Sequence, residues 1–376
     1  MGRIMGVNTV KVSAGDAYEV LYAGWQAQKT GAMLASYMLH GRPGVGKTQM
    51  VQHLSDAIGA RLFDLRLTTI EPQDLRGLPY YDHAAGKTTW YRPEDLPDDP
   101  ETPSVLFLDE LTAASPYLQP TVYGLLQERR VGRHRLPDSV FIVAAGNTVE
   151  DGAIAYEMNT ALSDRLLHLH VEAVATDWLD NYAVPRGLHP AVIAFIKTRA
   201  DLLETTEAAL DQGHMIACTP RSWERVSDIL NAIEERKLRN ILVAGTVGDA
   251  VAADFALVAD DIAATVQVTQ MLEADRKRRI ALYPATMHGL NALIYGLVGV
   301  LNARNAPDVI DIMADIRKLA DLRDEGEFSR MPLGELCTYG FETLIRKGLD
   351  QGLEQAFLGS RAYRAYAEER KAAGLA

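Results

Sequence analysis

A chain of 376 residues, with 48% hydrophobic and 23% charged residues, falls in the ordinary globular class and is long enough for two or three domains. Its 38 Lys and Arg against 50 Asp and Glu leave a net charge of -12, which opposes binding to a polyanion over the whole surface. Cys218 and Cys337 are too few and too far apart for a disulfide framework or a cysteine metal site, and MGRIMGVNTVKVSAGD lacks the apolar core of a signal peptide, so a cytoplasmic location is expected.

Asp16 to Lys29 has helical spacing, with Tyr18, Leu21, Tyr22 and Trp25 on one face. AMLASYMLH then reads as an apolar strand and KTQMVQHLSDAIGA as a helix. Between them GRPGVGKT satisfies the full phosphate-loop pattern, placing Gly41, Arg42, Pro43, Gly44, Val45, Gly46, Lys47, Thr48 and the following Gln49 around a nucleotide. The glycines let the backbone curl so that its N–H groups face phosphate oxygens; Lys47 reaches the β and γ phosphates, and the Thr48 hydroxyl coordinates magnesium. The helix that follows presents its positive end to the same phosphates. Two readings stand for the aromatic face of the preceding helix, a cover for the sheet or a wall near the nucleotide base.

RLFDLRLT is a second expected strand. GLPYYDHAAGKTTWYRP alternates aromatics around Ala85-Gly86, which predicts an inserted hairpin over about 77–93 with Tyr80, Tyr81, Trp90 and Tyr91 on its arms. SVLFLDE is a continuous apolar run, hence a strand buried on both faces, ending in two carboxylates. Asp109 is expected to hold magnesium through water opposite Thr48, and Glu110 to orient and polarise the attacking water.

LTAASPYLQPTVYGLLQE predicts a helix interrupted early by prolines, with Leu118, Val122, Leu125 and Leu126 as its apolar face. In ERRVGRHRLPD, Arg129, Arg130, Arg133 and Arg135 crowd a turn between short strands. They are either solvated or turned toward a substrate, a neighbouring subunit or nucleic acid. SVFIVAAGN is another buried strand, carrying the Asn147 amide to the same sheet edge as Asp109, where it can hold the γ phosphate or the lytic water. LSDRLLHLHV, from Leu162 to Val171, supplies a fifth strand with Arg165 just ahead of it, a side chain suited to a phosphoryl-transfer transition state. His168 and His170 alternate as strand residues and, without acidic or cysteine neighbours, do not read as a metal pair.

From Asp177 the pattern is helical. TPRSWERV places Thr219-Pro220 at a helix start, with Arg221 projecting from it toward the nucleotide. GLNALIYGLVGVLN is shorter than the roughly 20 residues a membrane span requires and reads as a buried helix. The expected domains are a nucleotide-binding core over 1–175, a helical lid over 176–261 and a helical extension over 262–376.

The order of these signals resembles the AAA+ ATPases, and within them the MoxR-like group, which carries a hairpin after the second strand. GRPGVGKT is similar to the Walker A motif, VLFLDE to Walker B, Asn147 to sensor 1, Arg165 in LSDRLL to the arginine finger, and Arg221 in TPRSW to sensor 2. The resemblance implies an α/β P-loop NTPase αβα sandwich with a five-stranded parallel sheet and an all-α lid. It further implies ATP and Mg2+ as cofactors, and a ring, commonly a hexamer, with active sites between subunits. ATP hydrolysis would then remodel a protein client beside a von Willebrand factor A domain partner. DELTAA stands where that group often reads Asp-Glu-Ile-Asn-Arg-Ala, so Thr112 and Ala113 are expected to lack the polar contacts found there. The alternative is a nucleic-acid motor, or the NTPase of a DNA-processing system, with the arginine hairpin facing the strand; the acidic charge opposes it.

Overall fold

A computed structural model describes residues 8–147, 158, 160–323 and 326–372. The chain divides into two compact units, one of residues 1–174, 205–215 and 219–221, the other of residues 175–204, 216–218 and 222–376.

The first unit is built on a parallel sheet. Its strands are β1 (Lys11–Val12), β2 (Ser36–His40), β3 (Arg61–Arg66), β6 (Ser104–Asp109), β9 (Val140–Gly146) and β10 (Leu166–Val171), in the order β1-β10-β2-β9-β6-β3. Two antiparallel hairpins lie outside it, β4 (Pro79–Asp82) with β5 (Lys87–Trp90), and β7 (Arg130–Val131) with β8 (His134–Arg135). Five of the six parallel strands are those expected. The sixth, β1, is only two residues long and pairs Lys11 and Val12 with His170 and Val171 at the sheet's edge; two residues are too few to leave a periodicity. The segment expected as the fifth strand, Leu162 to Val171, is a strand only from Leu166, because Thr160–Ser163 is a helical turn.

Period-two alternation explains why the central strands are apolar throughout. Met38, Leu106, Leu108, Ile142 and Ala144 face one core, while Tyr37, Leu39, Val105, Phe107, Phe141 and Val143 face the other. Each large side chain so buried contributes about 1.5–3 kcal/mol, and here neither face of the central strands β2 and β9 is open to solvent.

The second core is roofed by α1 (Ala14–Lys29) and α2 (Lys47–Ala57). Ser13 caps α1, its hydroxyl accepting from the Asp16 amide at 3.0 Å. Leu21 is fully buried, Tyr18 lies against His53 of α2 with ring centroids 4.9 Å apart, and Tyr22 and Trp25 are half-buried against the same core. The aromatic face therefore covers the sheet. The first core is closed by Leu118, Val122, Leu125 and Leu126, all buried. Leu118 stands just before a short helix, Gln119–Tyr123, which carries Val122 and runs into a π-helical turn, Gly124–Glu128, carrying Leu125 and Leu126, so the expected helix is interrupted beyond its prolines as well.

The second unit is helical among the described residues. Phe195, Trp223 and Phe255 meet pairwise at 5.3–5.6 Å in its core. Met287–Val300 buries every residue from Gly289 to Val298. Its apolarity is thus accounted for by packing, and among the described residues no helix is long and apolar enough to cross a membrane.

Candidate active site

Parallel pairing carries the ends of three strands to one edge. His40 stands level with Gly146, and Leu108 with Ala144, so the residues that follow, Gly41, Asn147 and Asp109, emerge together. In an open parallel sheet, ligands bind at this carboxyl edge.

The loop between β2 and α2 is a backbone cradle. Gly41, Gly44 and Gly46 have φ of 152°, 84° and 104°, a region that side-chain-bearing residues avoid. A Cβ on Gly41 would stand 2.4 Å from the Val171 carbonyl oxygen, and one on Gly44 3.0 Å from Thr219 Oγ1 and 3.4 Å from Arg221 Cβ. The Thr219–Arg221 segment thus lies directly against the loop. Gly46 caps α2 without a side-chain acceptor, leaving the first-turn amides for a ligand, as at other helix N-termini. The Arg42 guanidinium is tied to Glu207 at 2.7 Å, and Val45 is buried while Pro43 and Gln49 face outward.

Lys47 is buried, and its ammonium bonds to the carbonyl oxygens of Gly41 and Arg42, the latter at 3.1 Å, and to Asn147 Oδ1 at 3.0 Å. Thr48 Oγ1 lies 3.4 Å from Asp109 Oδ2, while Asp109 Oδ1 accepts from the Glu110 amide at 2.9 Å. One carboxylate oxygen is therefore anchored to backbone and the other aimed at the hydroxyl. The cradle of amides, a cation inside it, and a hydroxyl facing a carboxylate suit a triphosphate with a hard divalent ion.

Glu110 has a left-handed backbone, φ 59°, a conformation that costs about 1–3 kcal/mol in a residue with a side chain. Its carboxylate accepts from Thr68 Oγ1 and lies 3.8 Å from Arg66 Nε. The end of β3 and the turn that follows it thus grip the side chain that follows β6. Asp64, two residues back on β3, has its carboxyl pushed above the ordinary range, first by burial and then by the negative charge of Asp109.

Several of these contacts were not legible in advance. Thr112, expected to remove polar contacts, supplies one: its hydroxyl donates to the Asn147 carbonyl at 2.8 Å, fixing the residue whose side chain meets Lys47. Gly146 permits that approach, since a Cβ there would stand 2.5 Å from Thr112 Oγ1. A hydroxyl two residues past the acidic pair was the available signal. Nothing in the sequence marked Thr68, which reaches Glu110 only because β3 and β6 pair.

Arg165 is placed elsewhere. It precedes β10, whose first residue, Leu166, stands level with Ser36 at the start of β2. With about 3.3 Å of rise per residue, this is the edge of the sheet opposite the glycine loop. Arg165 is exposed there. The structure gathers Lys47, Thr48, Asp109, Glu110, Asn147 and the Arg221 backbone segment, and keeps Arg165 apart from them.

The arginine hairpin resolves residue by residue. Arg129 is buried and donates to the Pro137 and Val140 carbonyls, at 3.0 Å in the first case. Arg130 pairs with Glu128 at 2.7 Å and Arg135 with Asp138 at 3.4 Å.

Residues 36–166 match the family model described as AAA domain (dynein-related subfamily). This segment is similar to an AAA domain. It contains the glycine loop, both carboxylates and Asn147, together with Arg165 at the opposite edge, but neither Glu207 nor the Thr219–Arg221 segment. An uncharacterized protein from Bacillus subtilis, YeaC, is 32% identical over 136 residues, which is 35% of this chain and 40% of that protein, so the match spans about two fifths of the relative's length. Among solved structures, a provisionally assigned ATPase from Cytophaga hutchinsonii is 15% identical, with 89% of this chain and 90% of that one covered, at a TM-score of 0.33. Thermotoga maritima RuvB, described as a Holliday junction branch migration motor, is 13% identical with 76% and 73% covered, at a TM-score of 0.31. At such scores neither likeness bears on what the chain does.

Proposed function

We propose that the chain is an ATPase that binds ATP and Mg2+ at Gly41–Thr48 and hydrolyses ATP in a ring of identical copies, each site being completed by Arg165 of the neighbour. The supporting observation is the split within the first unit: Lys47, Thr48, Asp109, Glu110 and Asn147 converge on one sheet edge, while Arg165 stands at the other. An arginine so placed cannot reach its own phosphates, yet it is exposed for a second copy.

Lys47 exchanges the Gly41 and Arg42 carbonyls for phosphate oxygens while Asn147 keeps its ammonium aligned. Thr48 and Asp109 would hold Mg2+, which neutralises charge developing on the phosphate oxygens. Glu110, held by Thr68 and Arg66, orients the attacking water and takes up its proton. Arg221 approaches the phosphates from the helix that starts beside Gly44. Hydrolysis is coupled to remodelling of a protein client, with a MoxR-like role and a von Willebrand factor A domain partner carried by the resemblance of the motifs. A nucleic-acid role draws little support from the hairpin, whose Arg129 is built into the fold and whose Arg130 and Arg135 are already paired with acids.

The test is complementation. Arg165→Ala and Glu110→Gln, each reduced to a measurable residual turnover alone, regain turnover when mixed, because each lacks a different half of a shared site. Normal turnover in Glu110→Gln would overturn the site, and absence of recovery in mixtures would overturn the shared arrangement.

A further inference from the structure

His40, the last residue of β2 before the glycine loop, and His168, in β10, lie side by side in the sheet. His40 Nε2 is 2.8 Å from His168 Nδ1. The ring centroids are 5.1 Å apart and the planes 17° from parallel. That separation is close to the N···N distance plus two ring radii, so the imidazoles meet edge to edge in nearly one plane, as a hydrogen bond requires.

The other nitrogen of His168 settles the protons. Nε2 lies 2.9 Å from the Ser163 carbonyl oxygen and 3.1 Å from Ser163 Oγ. A carbonyl can only accept, so His168 Nε2 carries the hydrogen, and its Nδ1 accepts from His40 Nε2–H. The result is a directed chain from His40 through His168 to the Ser163 carbonyl, within the turn where the Arg165 amide bonds to the Leu162 carbonyl at 3.1 Å. Lys47 and His170 face His40 as well. Burial, first, and then the charges of His168, His170 and Lys47 push His40 down to about 3, so it stays neutral around neutrality and the chain is a fixed strut rather than a pH switch.

We infer that His40 and His168 are positioning residues, tying the turn that presents Arg165 to the strand that feeds the nucleotide loop. The arginine offered to a neighbour is thereby held in register with the loop that grips this copy's own nucleotide. The inference rests on the reading of Arg165 as a residue acting on a neighbour's ATP.

Two measurements on the full chain test it. The first is amide exchange across residues 163–167. His168→Phe, which keeps the ring and loses both bonds, should speed exchange there about tenfold or more while leaving α2 unchanged. His168→Gln, which keeps an N–H for the carbonyl, should restore most protection, and Ser163→Ala should change nothing. Should His168→Phe fail to fold, His40→Asn breaks the same chain from its other end. Unchanged exchange in folded variants overturns the link whatever the activity. The second is a double-mutant cycle on turnover at saturating ATP. His168→Phe should lower kcat about tenfold with KM for ATP held within about twofold, and should cost nothing further in Arg165→Ala. A loss that multiplies with that of Arg165→Ala, or that falls on KM, overturns the positioning role. Full turnover in Arg165→Ala itself would sink the reading of Arg165, while the exchange result still decides the link.

Discussion

The Lys47 ammonium reaches Asn147 Oδ1 at 3.0 Å across two strands adjacent in the sheet but a hundred residues apart in the chain. This bond joins the glycine loop to the end of β9 and fixes where a phosphate's positive partner stands.

Removing the cation should abolish tight nucleotide binding. Charge-assisted hydrogen bonds are worth about 1.5–3 kcal/mol each, so Lys47→Ala is expected to weaken ATP affinity at least about tenfold in a fluorescent-nucleotide titration. Glu110→Gln, whose carboxylate points to Thr68 and Arg66 rather than into the glycine loop, should bind ATP normally and turn it over at least about a hundredfold more slowly. Equal loss of binding in both variants would contradict this division of labour.

Asn147 and Thr112 act in series. Asn147→Ala should lower kcat about tenfold to a hundredfold with little change in folding, because Lys47 loses the acceptor that aligns it. Thr112→Val, close to isosteric, removes the bond to the Asn147 carbonyl. It is expected to lower kcat in the same direction by a smaller factor and to cost about 1 kcal/mol in stability. Steady-state kinetics with a urea melt separates the two effects, and a Thr112→Val enzyme of unaltered kcat would remove Thr112 from the site.

Gly24, on α1, leaves no room for a side chain. A Cβ there would stand 2.0 Å from the Tyr37 hydroxyl oxygen in β2, so Gly24→Ala should destabilise the first unit by about 1–3 kcal/mol through overpacking. Tyr37→Phe in the same chain should recover part of that loss. Calorimetry checks it, and an unchanged transition would show that α1 can shift away at no cost.

Acid should weaken both units through buried neutral histidines. Burial, chiefly, pushes His40 down to about 3 and His189 down to about 4 from an ordinary 6.5. Below 6.5 the unfolded chain binds more protons than the folded one, so the stability linked to these residues is full above pH 6.5. It is lost progressively as pH falls toward 4 for His189 and toward 3 for His40. Unfolding midpoints should therefore fall between pH 6.5 and 4.5. His189→Gln should flatten the part of that fall belonging to the helical unit; an unaltered slope would show that His189 carries none of it.

Sequence by itself determined the parts that local spacing encodes. The glycine loop between an apolar strand and a helix, the carboxylates ending a strand buried on both faces, and the apolar helix of residues 289–298 each depend on a backbone pattern a few residues long, and such patterns are written contiguously. The αβα class came with the resemblance that the ordered motifs carry, and continuous apolar strands alternating with helical segments agree with it. Only the tertiary structure decided which side chains meet. Thr68 holds Glu110, Thr112 holds the Asn147 carbonyl, and His40 reaches His168, each because parallel pairing sets strands side by side at a register no local pattern specifies. The same register sent Arg165 to the far edge of the sheet from Lys47. Motif order lists the two together, but a strand several residues long stands between them.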